Sequence, residues 1–201
     1  MSEPEPLAPL LAALRDLVGW FEADHVLYAI IGGVAASLLG RPRLTRDVDA
    51  LVWLEEERWE DFLAVGARFG YMPRRRDAIA FAREARVPLV RHQPTAIDTD
   101  IVFAALGFEQ KTLARAVEVD VGGLLLKLPT PEDLIVLKAV ARRPRDMADI
   151  ESILDAHPKL NLRRVLHWVR GFSLALEIPE ILRDLETLLA RKRRIRKTRK
   201  R

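Results

Sequence analysis

Two aspartates at alternate positions, Asp47 and Asp49, open an apolar run that continues through residues 50–53. On a strand such residues share one face, roughly 7 Å apart at Cα. Two carboxylates held side by side repel unless a cation lies between them, and an all-oxygen donor pair suits Mg²⁺. A second acidic pair, Asp98 and Asp100, shares a face in the run 96–104, AIDTDIVFA. Catalysis by two metal ions needs a ligand bridging from an adjacent strand, and periodicity leaves Asp98 and Asp100 equally placed to give it.

Other residues suit a phosphate. Gly32 and Gly33 lie between an apolar run, residues 26–31, and a short helical pattern, residues 34–39. Glycine permits a sharp turn there and lets an anion approach main-chain N–H groups at a helix start. Lys138 interrupts an apolar stripe formed with Leu134, Leu137 and Ala141. It must either snorkel to water or reach a buried anion, for which a nucleotide phosphate is a natural candidate. Arg74, Arg75 and Arg76 form a basic cluster suited either to phosphate, nucleotide or RNA, or to a solvated loop. Asp146 and Asp149, early in a helix behind Pro144, read as compensation of the helix dipole.

The order of these parts is informative. A strand, Gly32-Gly33, a short helix, a basic linker with Arg41, Arg43 and Arg46, and then Thr45-Arg46-Asp47-Val48-Asp49 resembles the signature of the nucleotidyltransferase fold superfamily, most nearly its AbiEii-type, toxin-like branch. The resemblance implies an α/β fold: a nucleotidyltransferase-type mixed sheet flanked by helices, with a helical C-terminal part. It implies Mg²⁺-dependent transfer of a nucleoside monophosphate from a nucleoside triphosphate to an acceptor, with release of pyrophosphate. Asp47, Asp49, Asp100 and Lys138 are then the catalytic residues and the three aspartates the metal ligands, Asp100 being favoured over Asp98 because Ile101-Val102-Phe103 follows it directly as in the family pattern. Gly32, Gly33, Thr45, Lys138 and Asp146 fall to the nucleotide, with Asp146 supporting the site and Asp149 structural. The acceptor implied by the toxin-like branch is RNA, tRNA in particular, and a cognate antitoxin is an implied partner. The alternative is a catalytically silent nucleotide- or RNA-binding module of the same fold, distinguished by whether the three carboxylates converge.

Composition sets the outer bounds. The 201 residues are 49% hydrophobic, enough to bury a real core. There is no cysteine, which excludes disulfides, thiol chemistry and Cys-ligated zinc and is compatible with a reducing cytosol. The four histidines show no metal-ligand spacing. No apolar stretch is long enough to span a bilayer and the N-terminus is acidic, so a cytoplasmic protein without a membrane segment is expected. The net charge of +4 hides an asymmetry: residues 191–201, RKRRIRKTRKR, hold nine of the 33 Lys and Arg, leaving 24 basic against 29 acidic residues elsewhere. Such a tail suits a polyanion such as RNA, or serves as a solvated, disordered extension.

The elements that must position these residues follow from periodicity. Helices are expected over 6–23, 57–69 and 107–116, strands over 26–31, 47–54, 87–92 and 96–104, and a hairpin over 117–128 turning at Gly122-Gly123. Residues 73–86 fit no pattern. Thr130-Pro131-Glu132-Asp133 is a helix start with its cap, proline and first-turn acids. Asn161 caps another helix, and the last runs from 178 to 191. The division expected is a core over 1–130, a helical subdomain over 131–190 and a disordered basic tail over 191–201.

Overall fold

The computed structural model describes residues 7–198, which divide into two compact units. Among the described residues, the first comprises 7–35 and 44–129, and the second comprises 36–43 and 130–198.

The first unit carries α1 (Ala8–Ala23), β1 (Leu27–Ile31), the start of α2 (Gly32–Leu39), β2 (Asp47–Trp53), α3 (Trp59–Arg68), β3 (Tyr71–Pro73), α4 (Ala78–Ala85), β4 (Leu89–His92), β5 (Ile97–Phe103), α5 (Gly107–Ala114), β6 (Val117–Val121) and β7 (Leu124–Leu128). Five strands form a mixed sheet in the order β1-β2-β5-β4-β3, and β6 pairs with β7 as a separate hairpin. β2 and β5 run parallel, while β1–β2, β4–β5 and β3–β4 are antiparallel. Parallel neighbours require a crossover, and here it contains α3, β3, α4 and β4.

The periodicity of α1 is realised as burial: Ala13, Leu14, Leu17, Val18, Trp20 and Phe21 are all buried. Trp20 lies 4.4 Å from Phe62 and 5.4 Å from Tyr71, ring centroid to centroid, so α1, α3 and β3 share an aromatic core. The polar atoms of these rings are satisfied by main-chain oxygens, Trp20 Nε1–H donating to Phe62 O at 3.0 Å and Tyr71 O–H to Ala13 O at 2.6 Å. Large apolar bodies are thereby buried without an orphaned donor. The hairpin turn falls at Gly122 and Gly123, whose φ of 63° and 86° are the left-handed values that such a two-residue turn demands.

The second unit is helical: the end of α2, α6 (Pro131–Ala141), α7 (Asp146–Ala156), α8 (Leu162–Ala175) and α9 (Glu180–Thr198). α6 packs against α7, α8 and α9. Thr130 caps α6 by accepting from Asp133 N at 3.2 Å, and Asn161 caps α8 by accepting from Arg164 N at 3.1 Å.

Two expectations are corrected, and one is located more closely. Residues 78–85 form α4, whose short apolar face escaped the sequence pattern. The glycine pair lies at the junction of β1 and α2, as expected, and opens α2, with Gly32 at a left-handed φ of +63°. The expected disordered tail is helical as far as Thr198, and residues 199–201 lie outside the described residues. Arg and Lys are good helix formers and suit a helix C-terminus. Arg191 and Lys192 also pair with Glu151 and Asp155 of α7, which ties the start of the basic stretch to the bundle. No described helix is long and apolar enough to cross a membrane.

Candidate active site

The parallel ladder between β2 and β5 aligns the acidic residues pair by pair: Asp47 opposite Asp98 and Asp49 opposite Asp100. Cross-strand partners point to one face and alternate residues keep to it, so four carboxylates share a single patch at the beginning of both strands. The intervening residues, Val48 and Thr99, are fully buried on the other side.

Each carboxylate has its own setting. Asp49 is the most enclosed, 9% exposed, and its side chain lies over the start of α2. A Cβ built on Gly32 would stand 1.8 Å from Asp49 Oδ2, and Gly32 has a φ of +63°. Glycine is therefore required at this position twice over, for the backbone angle and for the space the carboxylate fills. Gly33 is buried in the same turn. Asp47 is more exposed, and Thr45 Oγ1–H donates to its Oδ1 at 2.8 Å.

Asp98 and Asp100 are bound by arginines. Arg91, facing Asp98 across the β4–β5 ladder, forks onto it with Nε–Oδ1 of 2.6 Å and Nη2–Oδ2 of 3.1 Å. Arg74, just past β3, reaches Asp98 Oδ2 with Nη1 at 3.1 Å and Asp100 Oδ1 with Nη2. The hydrogen bonds from Arg91, helped by the charge of Arg74 and opposed by partial burial, hold the Asp98 carboxyl below its ordinary pKa. Of the other two arginines in the cluster, Arg75 forks onto Asp77 and lies over the Phe81 ring, and Arg76 is exposed.

The donor set, oxygen atoms of carboxylates on adjacent strands, fits a hard divalent cation such as Mg²⁺ in kind. Its present disposition is not a ready cage: among the described residues no group of three or more His, Asp or Glu is arranged to hold a metal ion. Arg91 and Arg74 take up oxygens of Asp98 and Asp100 that a cation would share.

A second charged cluster belongs to the helical unit. Lys138 is 5% exposed, and its Nζ donates to Asp146 Oδ1 at 2.9 Å and Asp149 Oδ2 at 2.7 Å. Arg43 forks onto Asp149 with bonds of 2.8 and 2.9 Å, and Arg143 N donates to Asp146 Oδ2 at 2.8 Å. The buried anion that the apolar setting of Lys138 demands is thus a pair of protein carboxylates. Asp149 is their hub, joining α6, α7 and the residue 43 segment, a wider role than dipole compensation. Burial pushes the Asp149 carboxyl toward protonation, but the bonds from Arg43 and Lys138 outweigh it, and its pKa lies below the usual value. A depressed carboxylate pKa contributes stability that is present above the unfolded-state pKa of about 3.9 and is lost as the pH falls through the folded value. The urea midpoint of the wild type is therefore expected to exceed that of Asp149→Asn at pH 7, with the gap closing as the pH is taken below about 4.

Sequence reasoning passed over Arg91 and treated Arg43 as linker charge. Arg91 had a visible signal: it and Asp98 sit symmetrically about Pro94-Thr95, as opposed residues of a hairpin do. Arg43 had none, because its partner Asp149 is more than a hundred residues away.

Comparison with known proteins bears on both units. Residues 97–196 match the family described as a nucleotidyl transferase of unknown function (DUF2204). A search of curated proteins gave no match. Among solved structures, an antigenic nucleotidyltransferase-like protein from Paracoccidioides brasiliensis is 15% identical, with a TM-score of 0.54 over 88% of this chain and 93% of that one. The antibiotic-resistance factor ANT(2'')-Ia is also 15% identical, with a TM-score of 0.57 over 85% and 95%. The lincosamide antibiotic adenylyltransferase LnuA, in its lincomycin-bound form, is 14% identical, with a TM-score of 0.50 over 72% and 96%. The mixed sheet, the aligned aspartates and these likenesses together identify the nucleotidyltransferase fold.

Proposed function

We propose that the protein transfers a nucleoside monophosphate from a nucleoside triphosphate to an acceptor hydroxyl or phosphate, releasing pyrophosphate. The observation that carries this reading is the register of β2 on β5, which gathers Asp47, Asp49, Asp98 and Asp100 on one face. Aligned like charges call for cations among them; Arg74 and Arg91 serve Asp98 and Asp100, and a divalent cation would serve the face that Asp47 and Asp49 share with Asp100. Asp47, Asp49 and Asp100 would hold Mg²⁺, which when bound supplies positive charge for the triphosphate. Asp98 is left out of that set because Arg91 already engages both its oxygens. The Asp49 carboxylate is kept rigid by its seat over Gly32, and rigid placement is what phosphoryl-type transfer draws on, its rate coming almost entirely from positioning and electrostatics. Thr45 orients Asp47 through its hydroxyl. Lys138 and Asp146, which the family resemblance linked to the nucleotide, are assigned here to holding the helical unit together, on the strength of their mutual ion pair.

For the acceptor, the toxin-like resemblance and the basic end of α9 support RNA, and with it a cognate antitoxin as partner. The names of two solved structures, an antibiotic-resistance factor and a lincosamide adenylyltransferase, support a second reading, a small hydroxyl compound such as an antibiotic. The purified protein, incubated with Mg²⁺ and each α-labelled nucleoside triphosphate, is expected to label total RNA and not a panel of aminoglycosides and lincosamides. Label on the antibiotics alone selects the second reading. No label on either acceptor, or label that survives Asp47→Ala, removes the enzymatic one.

A further inference from the structure

The carboxylate patch contains a cation of its own. Arg74 spans Asp98 and Asp100 with its two terminal nitrogens, and its side chain is only 26% exposed. Its backbone is fixed, Arg74 N donating to Leu89 O at 2.8 Å, so the side chain is the part free to change partners. Asp98 is held a second time by the two-bonded fork of Arg91.

We propose that Arg74 is a built-in counter-cation of the patch, which a divalent cation must displace from Asp100 before it can bind there. This rests on the reading that Asp47, Asp49 and Asp100 are metal ligands. A guanidinium on Asp100 Oδ1 and a divalent cation compete for that oxygen and repel each other at contact distance. When Arg74 leaves, Asp98 stays in the fork of Arg91, and Asp100 gives up its bond to Arg74. A guanidinium displaced at this point is well shaped to fork onto phosphate oxygens, so a triphosphate arriving with the cation gives Arg74 a new partner and a bare cation does not. Cation and nucleotide therefore bind with positive coupling, each strengthening the other.

The test is binding of Mn²⁺, counted as loss of the free-ion electron paramagnetic resonance signal, with and without a non-hydrolysable ATP analogue, the loss caused by the analogue in the absence of protein being subtracted. Arg74→Gln is expected to bind Mn²⁺ alone about tenfold more tightly than the wild type, the scale of two partly exposed ion pairs released. The gain in Mn²⁺ affinity caused by the analogue is expected to shrink in the same variant. Arg74→Lys, which keeps the charge but cannot span two carboxylates, should fall between them, and Arg75→Gln should match the wild type. Unfolding curves verify that each variant is folded. Equal Mn²⁺ affinity in folded wild type, Arg74→Gln and Arg74→Lys overturns the proposal for Arg74 while leaving the metal-site reading intact, provided Asp49→Asn abolishes the binding. Absence of Mn²⁺ binding in wild type and Arg74→Gln alike overturns both.

Discussion

Asp49→Asn is expected to lower nucleotidyl transfer by about a thousandfold, the scale of losing one electrostatic contact to a phosphoryl-type transition state, while leaving the thermal unfolding midpoint unchanged or raised. The two halves of this result have one cause. Asp49 is nearly enclosed, shares its face with Asp47 and stands opposite Asp100, so its negative charge is held against repulsion and partial desolvation. An isosteric amide relieves both penalties and fills the same space over Gly32. Were the aspartate there for stability, the substitution would lower the midpoint. Steady-state label transfer and a melting curve on one preparation decide the matter, and a fall in midpoint with unchanged transfer would count against the site.

Lys138→Met is expected to do the reverse, costing about 3–5 kcal/mol of unfolding free energy, the usual penalty for removing one partner from a buried ion pair. Methionine matches the length of the stem but leaves Asp146 and Asp149 without their shared cation, while Arg43 forks onto Asp149. Replacing all four charges, Lys138→Met and Arg43→Met with Asp146→Leu and Asp149→Leu, should recover much of the loss, since the fault lies in the unmatched charges rather than the missing lysine. Urea titration of the three forms is the measurement. A single variant that loses less than about 1 kcal/mol would place the cluster among ion pairs of little energetic weight.

The contrast between these two clusters shows what could be read from the chain and what could not. Asp47, Asp49, Asp98 and Asp100 were legible because a strand's period of two is visible in any alternating stretch, and apolar runs of five to seven residues mark where strands lie. That β2 and β5 are neighbours came only with the resemblance, since periodicity says which face a side chain takes and nothing about which strand lies beside it. Lys138 was legible as an anomaly, a charge in an apolar stripe. Its partners were not, because a buried cation requires some anion without naming it. The short α4 was lost because eight residues with few large apolar groups give too little pattern to set against Arg74, Arg75 and Arg76. The end of α9 was misjudged because a dense run of cations looks the same whether solvated or helical, and the deciding acids, Glu151 and Asp155, lie on another helix.

Among the described strands, β2 and β5 form the one parallel pairing, and their common direction has a consequence for how the chain can vary. Both strands begin at the same edge, so the acidic pairs meet only while the two keep step. Inserting or deleting a single residue between Asp100 and Phe103 in β5 would turn its acids to the opposite side of the sheet, whereas the loops of the long excursion between Trp53 and Ile97 can lengthen or shorten without disturbing that alignment. Variation among relatives should therefore gather in the excursion, leaving the two short acidic stretches free of gaps.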